Sequence, residues 1–398
     1  MNKDIIYLDN AATTPVHPEV LQAMMPYLTT QWANPSTLYT FGREARVGVE
    51  DARAKVASLI GADPSEIYFT SGATESDNWA IMSTAIATES KGKHLITLPI
   101  EHHAVLGTCE FLKRRGYDLT LAPVDHEGLV DPEAVRQAIT DQTVLITIMH
   151  SNNEIGTIEP VGEIGAIARE KGILFHTDAT QSVGKVPIDV NDLKVDMLSL
   201  SGHKLYGPKG IGALYIRKGV RIPPYLHGGA QESSKRAGTH NVPGIVGLGK
   251  ACELAQASMA EESARETALR DKLIQGIFAA IPDVRLNGHA TKRLPNNVNV
   301  SIAGIEGESM ILLLDAQGIC VSSGSACTSG SLAASHVLLG IGVPHELAHG
   351  SLRLTLGREN TDADVDKVLE VLPGVVSRLR AMSPTYEAAT CPAEHSAE

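Results

Sequence analysis

Ser199-Leu-Ser-Gly-His-Lys204-Leu-Tyr-Gly-Pro-Lys-Gly-Ile-Gly-Ala213 sets one lysine directly after a short apolar run and before a glycine-rich turn. A lysine that reacts as an amine needs burial or a neighbouring cation to lower its pKa, and small residues that let a cofactor approach. Ser201, Gly202 and His203 offer that setting, although a surface lysine beside a turn would look the same. Upstream, Phe175-His-Thr-Asp178-Ala-Thr-Gln181 closes another apolar run. Ligands of open α/β sheets bind beyond the carboxyl ends of the strands, where a carboxylate can pair with a protonated ring nitrogen. The same aspartate could instead cap a helix. Further upstream, Tyr68-Phe-Thr-Ser-Gly72-Ala-Thr74-Glu-Ser-Asp77 reads as strand, glycine loop and helix, with Thr74 and Asp77 spaced like a capping box. Free N–H groups at such a helix start form a ready phosphate site, and a plain cap is the competing reading.

Around these three stretches the chain alternates strand-like and helix-like segments. Residues 67–70, 94–98, 119–122, 144–149 and 173–177 read as buried strands, with 196–199 and 213–216 as two more. Helical patterns lie at 74–89, 104–115, 132–138 and 160–171. That rhythm predicts an α/β domain with a mainly parallel sheet covered by helices. A long helical pattern spans 244–281, followed by a smaller α+β region built from 297–302, 309–317 and 351–356 and a helix around 362–380. We place a large domain at 16–255 and a small one at 1–15 plus 256–382. Residues 383–398, poor in apolar side chains, read as a disordered tail.

With 398 residues, 43% of them hydrophobic, the chain can bury a large core without disulfides or a structural metal. Its net charge is −12 and no block of Lys and Arg stands out, which argues against nucleic acid and anionic membrane as partners. No apolar run is long enough to span a bilayer. The five cysteines are irregularly spaced without a CxxC pair, as expected of a reduced cytoplasmic protein without a zinc site. Cys109, Cys252 and Cys320 read as inert core thiols, and Cys391 falls in the tail. Cys327 differs: Ser-Gly-Ser-Ala before it and Thr-Ser-Gly-Ser after it are poor core material.

The order of phosphate cup, strand-end aspartate and lysine resembles the aspartate-aminotransferase-like layout, fold type I of the pyridoxal-phosphate (PLP) enzymes. Further motifs narrow the resemblance: Tyr7-Leu-Asp-Asn-Ala-Ala-Thr-Thr-Pro15, Thr70-Ser-Gly-Ala-Thr-Glu-Ser76, Glu101-His102, Asn152-Asn-Glu-Ile-Gly156, Arg236-Ala-Gly-Thr239-His-Asn241 and Ser322-Ser-Gly-Ser-Ala-Cys327-Thr-Ser-Gly330. Together with the Asp178 and Lys204 stretches they are similar to cysteine desulfurases of the NifS/IscS type over roughly residues 5–382. The runs after Thr239 and Cys327 look closer to the NifS branch.

The resemblance implies a role for each matching residue. Lys204 would form the Schiff base with PLP, Asp178 would pair with the pyridine nitrogen, Gln181 would bond the ring hydroxyl and His102 would stack on the ring. Ala73, Thr74, Ser201 and His203 would hold the phosphate, joined by Thr239 from the second subunit of a homodimer. Arg353 would clamp the substrate carboxylate with help from Asn153; bidentate recognition of this kind favours Arg over Lys. Read without the resemblance, Arg353 is a surface strand residue. Cys327, on a loop at about 321–332, would take sulfur from L-cysteine as a persulfide, release L-alanine and pass the sulfur to an iron–sulfur scaffold or another acceptor, with nitrogenase maturation one destination. His102 would exchange protons near the sulfur. Rival readings are a selenocysteine lyase or aminotransferase of the same fold, a silent docking module in iron–sulfur assembly, and transient cluster ligation by Cys327; no resting metal site is expected.

Overall fold

The computed structural model describes residues 5–323, 334–383 and 386. Twelve strands are named in chain order. They are β1 (Ile6–Tyr7), β2 (Ile67–Thr70), β3 (His94–Thr97), β4 (Asp118–Leu121), β5 (Thr143–Thr147), β6 (Leu174–Asp178), β7 (Met197–Ser201) and β8 (Gly212–Ile216). The last four are β9 (Val284–Leu286), β10 (Asn297–Ile302), β11 (Ile319–Cys320) and β12 (Ser351–Thr355).

Seven strands form the main sheet in the order β2-β8-β7-β6-β5-β3-β4. Every pairing is parallel except those that β8 makes with β2 and β7. The apolar runs need both faces covered, because successive side chains of a strand point to opposite sides. Ile96, Ile146, Phe175, Leu198 and Tyr215 enter one core. Their chain neighbours Leu95, Leu145, Met197 and Leu214 enter another on the opposite face, against Trp79 of the helix Ala73–Thr88. Strand order reverses between β3 and β5, which opens the crevice that carries ligands in such sheets.

A third core combines Leu8 with residues from Leu269 to Leu379. It lies against the antiparallel sheet β12-β10-β9, while β1 pairs with β11 in parallel. The helix Val242–Ala280 runs through both units: Ile245, Leu248 and Cys252 pack into the first core, Leu269, Leu273 and Ile277 into the third. Our expected boundary at 255 therefore falls inside one continuous helix, a join stiffer than a loop. Among the described residues, no helix is long and apolar enough to cross a membrane.

Two sequence expectations are corrected. Thr74 and Asp77 do not cap the helix Ala73–Thr88; its N-cap is Gly72, without a side-chain cap, and Asp77 is fully buried in the helix interior. Glu75 instead turns back, its carboxylate accepting the Ser71 N–H at 2.8 Å. The sequence reading also passed over the helices Pro18–Thr29 and Thr40–Leu59, which pack on Val242–Ala280. Cys109 and Cys252 are buried as expected, whereas Cys320 is only half-buried.

Candidate active site

The ends of β3, β5, β6 and β7 open into one cavity of about 590 Å³. Its lining includes Ala73, Thr74, His102, Asn153, Asp178, Gln181, Ser201, His203, Lys204 and Arg353. Ten expected site residues, scattered over 280 positions of sequence from 73 to 353, thus share one space. Thr239 is exposed and does not line it. Cys327 lies outside the described residues, but the chain on either side of its segment is held at the site. Ser322 pairs with Arg353 through N–H···O bonds of 3.1 and 2.7 Å. On the return, Ser335 donates to Glu154 and His336 Nε2 bonds the Glu101 carbonyl at 2.9 Å.

Lys204 closes a single 3-10 turn, Gly202–Lys204, after β7, and its ammonium donates to the carbonyls of Ala11 at 2.5 Å and Ala12 at 2.7 Å. Gln181 Nε2 donates to the same Ala11 carbonyl at 3.0 Å. Asp178 ends β6, and its Oδ1 accepts the Thr180 N–H at 2.9 Å, so it is a strand-end carboxylate and a local turn acceptor at once.

His102 is the N-cap of the helix His103–Lys113, with Nδ1 accepting the Ala104 N–H at 3.1 Å. In the neutral ring that bond assigns the proton to Nε2. Burial holds its pKa below the usual histidine value; Asp178 opposes this, and Lys204 and His103 add to it. His103 does not line the cavity and packs against His336, ring centroids 4.6 Å apart, whereas His102 lines it. His203 bonds Thr13 Oγ1 at 3.1 Å, and burial together with Lys204 and Lys209 lowers its pKa to about 4.

Arg353 is no surface residue, being 2% exposed in the middle of β12. One terminal nitrogen donates to the Asn153 carbonyl at 3.0 Å and the other to Asp9 Oδ1 at 2.9 Å, while Nε is buried and has no partner among the described residues. Asp9 and the Ala11 and Ala12 carbonyls are site groups to which the sequence reading gave no role. Their only signal was the Tyr-Leu-Asp-Asn-Ala-Ala motif itself, because their partners lie about 170 to 344 positions away.

The residues fit a phosphorylated aromatic cofactor. Gly72, at φ 153, presents the first N–H groups of a helix to the cavity, and a side chain at that angle would be strained. Gly212 lets this loop seat on β8, since a Cβ there would lie 2.7 Å from the Gly72 Cα. Glu75, beside the phosphate position, is pulled down despite burial by Arg236, which bonds both its oxygens at 2.8 and 3.0 Å, and by Ser71. Among the described residues, no group of three or more His, Cys, Asp or Glu could hold a metal ion.

Known proteins agree with this arrangement. Residues 6–368 match the family Aminotransferase class-V. "Cysteine desulfurase IscS" of Methanosarcina thermophila is 60% identical over 379 residues, 95% of this chain and 94% of that protein. A solved "NIFS-LIKE PROTEIN" superimposes with a TM-score of 0.89 at 40% identity, covering 94% of this chain and all of its own. A structure described as "SspA in complex with cysteine" is 41% identical, with a TM-score of 0.79, over 88% of this chain and 98% of that one. Both IscS and NifS names occur, so the likeness does not separate those branches. A PLP-type cradle at the strand ends, the full-length family match and relatives of this identity lead to one placement: the chain belongs to the class-V aminotransferases and, within them, to the PLP-dependent cysteine desulfurases of the NifS/IscS type.

Proposed function

We propose that the protein removes sulfur from L-cysteine, leaving L-alanine and a persulfide on Cys327, and delivers that sulfur to an acceptor protein for iron–sulfur cluster assembly. The observation that carries this reading is the meeting of Lys204, Asp178, His102 and Arg353 in one cavity, from whose Arg353 wall the segment bearing Cys327 departs. PLP, when bound, supplies an electron sink for the pair left when the Cα–H bond of the substrate breaks.

The chain's own groups do the rest. Arg353 orients the substrate carboxylate, offering Nε, which has no partner among the described residues, and the nitrogen that now holds Asp9. Lys204, once free of the two carbonyls, acts as base at Cα, and Asp178 would pair with the ring nitrogen. His102 moves protons at Nε2, since Nδ1 is spent on the helix cap. The Cys327 thiolate attacks the substrate sulfur; an S–S bond forms as the C–S bond breaks, the thiol sulfur is oxidised and the carbon, gaining electrons and a proton, is reduced to the methyl group of alanine.

The homodimer belongs to this proposal. Thr239 is exposed outside its own cavity, and Trp32 and Leu38 are 69% and 87% exposed, as suits a surface that meets a second copy. A division into domains at 16–255 and at 1–15 with 256–382 puts the site at their seam, and free Cys109, Cys252 and Cys320 suit a reduced cytoplasm.

The test is to incubate the purified protein with PLP, L-cysteine and a thiol reductant, quantifying alanine and sulfide with Cys327→Ala alongside. Equal amounts from the parent, lost in a variant that keeps its yellow colour, support the reading. Keto acid without sulfide would move the chain to the aminotransferases.

A further inference from the structure

Directly inward from Asp178 lies a second carboxyl group to which the reaction above gives no task. Asp77, on the helix Ala73–Thr88, is fully buried, and neither of its oxygens closes a hydrogen bond among the described residues. The nearest basic atom is His176 Nε2, 3.6 Å from Oδ1. His176 is fully buried on β6, two residues before Asp178 and so on the same face of the strand. Both its nitrogens are committed to hydroxyls, Nδ1 to Thr147 Oγ1 at 2.8 Å and Nε2 to Ser199 Oγ at 2.9 Å. A neutral imidazole meets both hydroxyls, as donor to one and acceptor from the other, so neither bond requires a charge on the ring. An ionised carboxylate with no cation, and with no nearby hydroxyl but that of Ser199, which His176 already engages, would cost several kcal/mol at such depth.

We infer that Asp77, as a neutral carboxylic acid, and His176, as a neutral imidazole, form an uncharged proton-holding layer behind Asp178 and act as positioning residues for the electron-sink end of the cofactor. With that layer uncharged, Asp178 is the single anion at the inner end of the cavity and its field falls on the ring nitrogen. Were Asp77 to ionise, two carboxylates would share the pocket and each would disfavour charge on the other.

The remaining ionisable groups around Asp77 point the same way. Glu101, which follows β3, is fully buried and accepts the Met149 N–H at 2.8 Å; burial raises its pKa well above the usual carboxylate range. Cys109, on the helix His103–Lys113, is raised by burial and then by Glu101. β5 and β7 carry no ionisable side chain. On β2, Tyr68 stacks on Trp79, and Tyr215 of β8 packs in the core on the other face of the sheet. Burial, followed by repulsion from Asp178, raises Asp77 well above its usual value, and burial lowers His176 to about 4. Ser199 alone favours the Asp77 anion, and its hydroxyl is engaged by His176.

The inference rests on Asp178 serving the ring nitrogen, so Asp178→Asn is measured beside Asp77→Asn on the PLP-loaded protein. In infrared difference spectra at neutral pH, Asp77→Asn is expected to lose a protonated-carboxyl C=O stretch and no carboxylate band. In a pH titration of the bound cofactor's visible absorbance, Asp77→Asn is expected to leave the transition within a few tenths of a unit of the parent's, because a neutral amide replaces a neutral acid, whereas Asp178→Asn, which removes the anion, shifts it by about one unit or more. Loss of a carboxylate band in Asp77→Asn, or a transition lowered by about one unit or more, as expected when a second anion that favours the protonated cofactor is removed, overturns the inference. If Asp178→Asn leaves the titration unchanged, the reading of Asp178 fails; if it shifts the titration while Asp77→Asn loses a carboxylate band, only this inference fails. Should Asp77→Asn not fold, Ser199→Ala removes the one neighbour that favours the anion, and the protonated-carboxyl band must remain.

Discussion

Replacing Arg353 by lysine keeps the positive charge and removes the fork. In the structure the guanidinium bonds Asn153 with one terminal nitrogen and Asp9 with the other, and Nε has no partner among the described residues. A lysine ammonium is a single point on a flexible stem and cannot hold the Asn153 carbonyl while presenting two parallel donors to a carboxylate. One charge-assisted hydrogen bond is therefore lost to the substrate, worth about 2 kcal/mol, or roughly 30-fold in affinity. The contact is made by ground state and transition state alike, so the loss should appear as a KM for L-cysteine raised about 30-fold with little change in kcat. Steady-state alanine release measures both constants. A melting curve of the variant checks that β12, which carries Arg353 in mid-strand, remains folded. An unchanged KM with a depressed kcat would refute the clamp and make Arg353 a support for Asp9 and Asn153 only.

Other outcomes follow from the same geometry. Thermal stability should depend on pH through buried groups of both kinds: His150, His176 and His203, all lowered chiefly by burial to about 4, bind protons only in the unfolded chain between about pH 4 and 6.5, so each withdraws stability on acidification. On the alkaline side, burial raises Glu154 to about 7 and Glu159 to about 8, so the folded chain holds protons the unfolded chain has released and stability declines as pH rises through those values. Melting temperatures that climb steadily from pH 6.5 to 8 would contradict this. Gly212→Ala, whose Cβ would fall 2.5 Å from the Leu200 carbonyl, should shift the phosphate loop and weaken PLP binding at least tenfold, read by equilibrium titration of the apoprotein. Glu232→Gln should destabilise by about 3 kcal/mol in denaturant unfolding, because it strips charge from a buried group that holds both Arg53 and His240.

Local chemistry in the sequence was enough for the large sheet. Lys204 between β7 and a glycine turn, Asp178 at a strand end and Gly72 before a helix each had an ordinary structural reading as well, and only their order along the chain and the family resemblance joined them into one site. Local chemistry failed where identity depends on what arrives from elsewhere. Asp77 has the spacing of a cap residue, and only the packing of Ala73–Thr88 across β5, β6 and β7 reveals a buried acid. Arg353 alternates within β12 like a surface arginine until the chain from Ser322 and residues 9–12 cover it. The helices Pro18–Thr29 and Thr40–Leu59 escaped notice because no motif drew attention to them. Tyr39, preceding the second, offers no side-chain cap as a start signal.

The run from Asp9 to Ala12 is a tethered competitor. It enters beside β1 and presents a carboxylate to Arg353 and two carbonyls to Lys204. Groups fixed to the chain act at a local concentration of millimolar or more, whatever the bulk solution contains. On the roles proposed above, a substrate carboxylate must displace Asp9 from Arg353, whereas the Ala11 and Ala12 carbonyls receive the Lys204 ammonium when a substrate amine takes its place. The same short run thus opposes a carboxylate that arrives alone and favours one that brings an amine with it, as a free α-amino acid does.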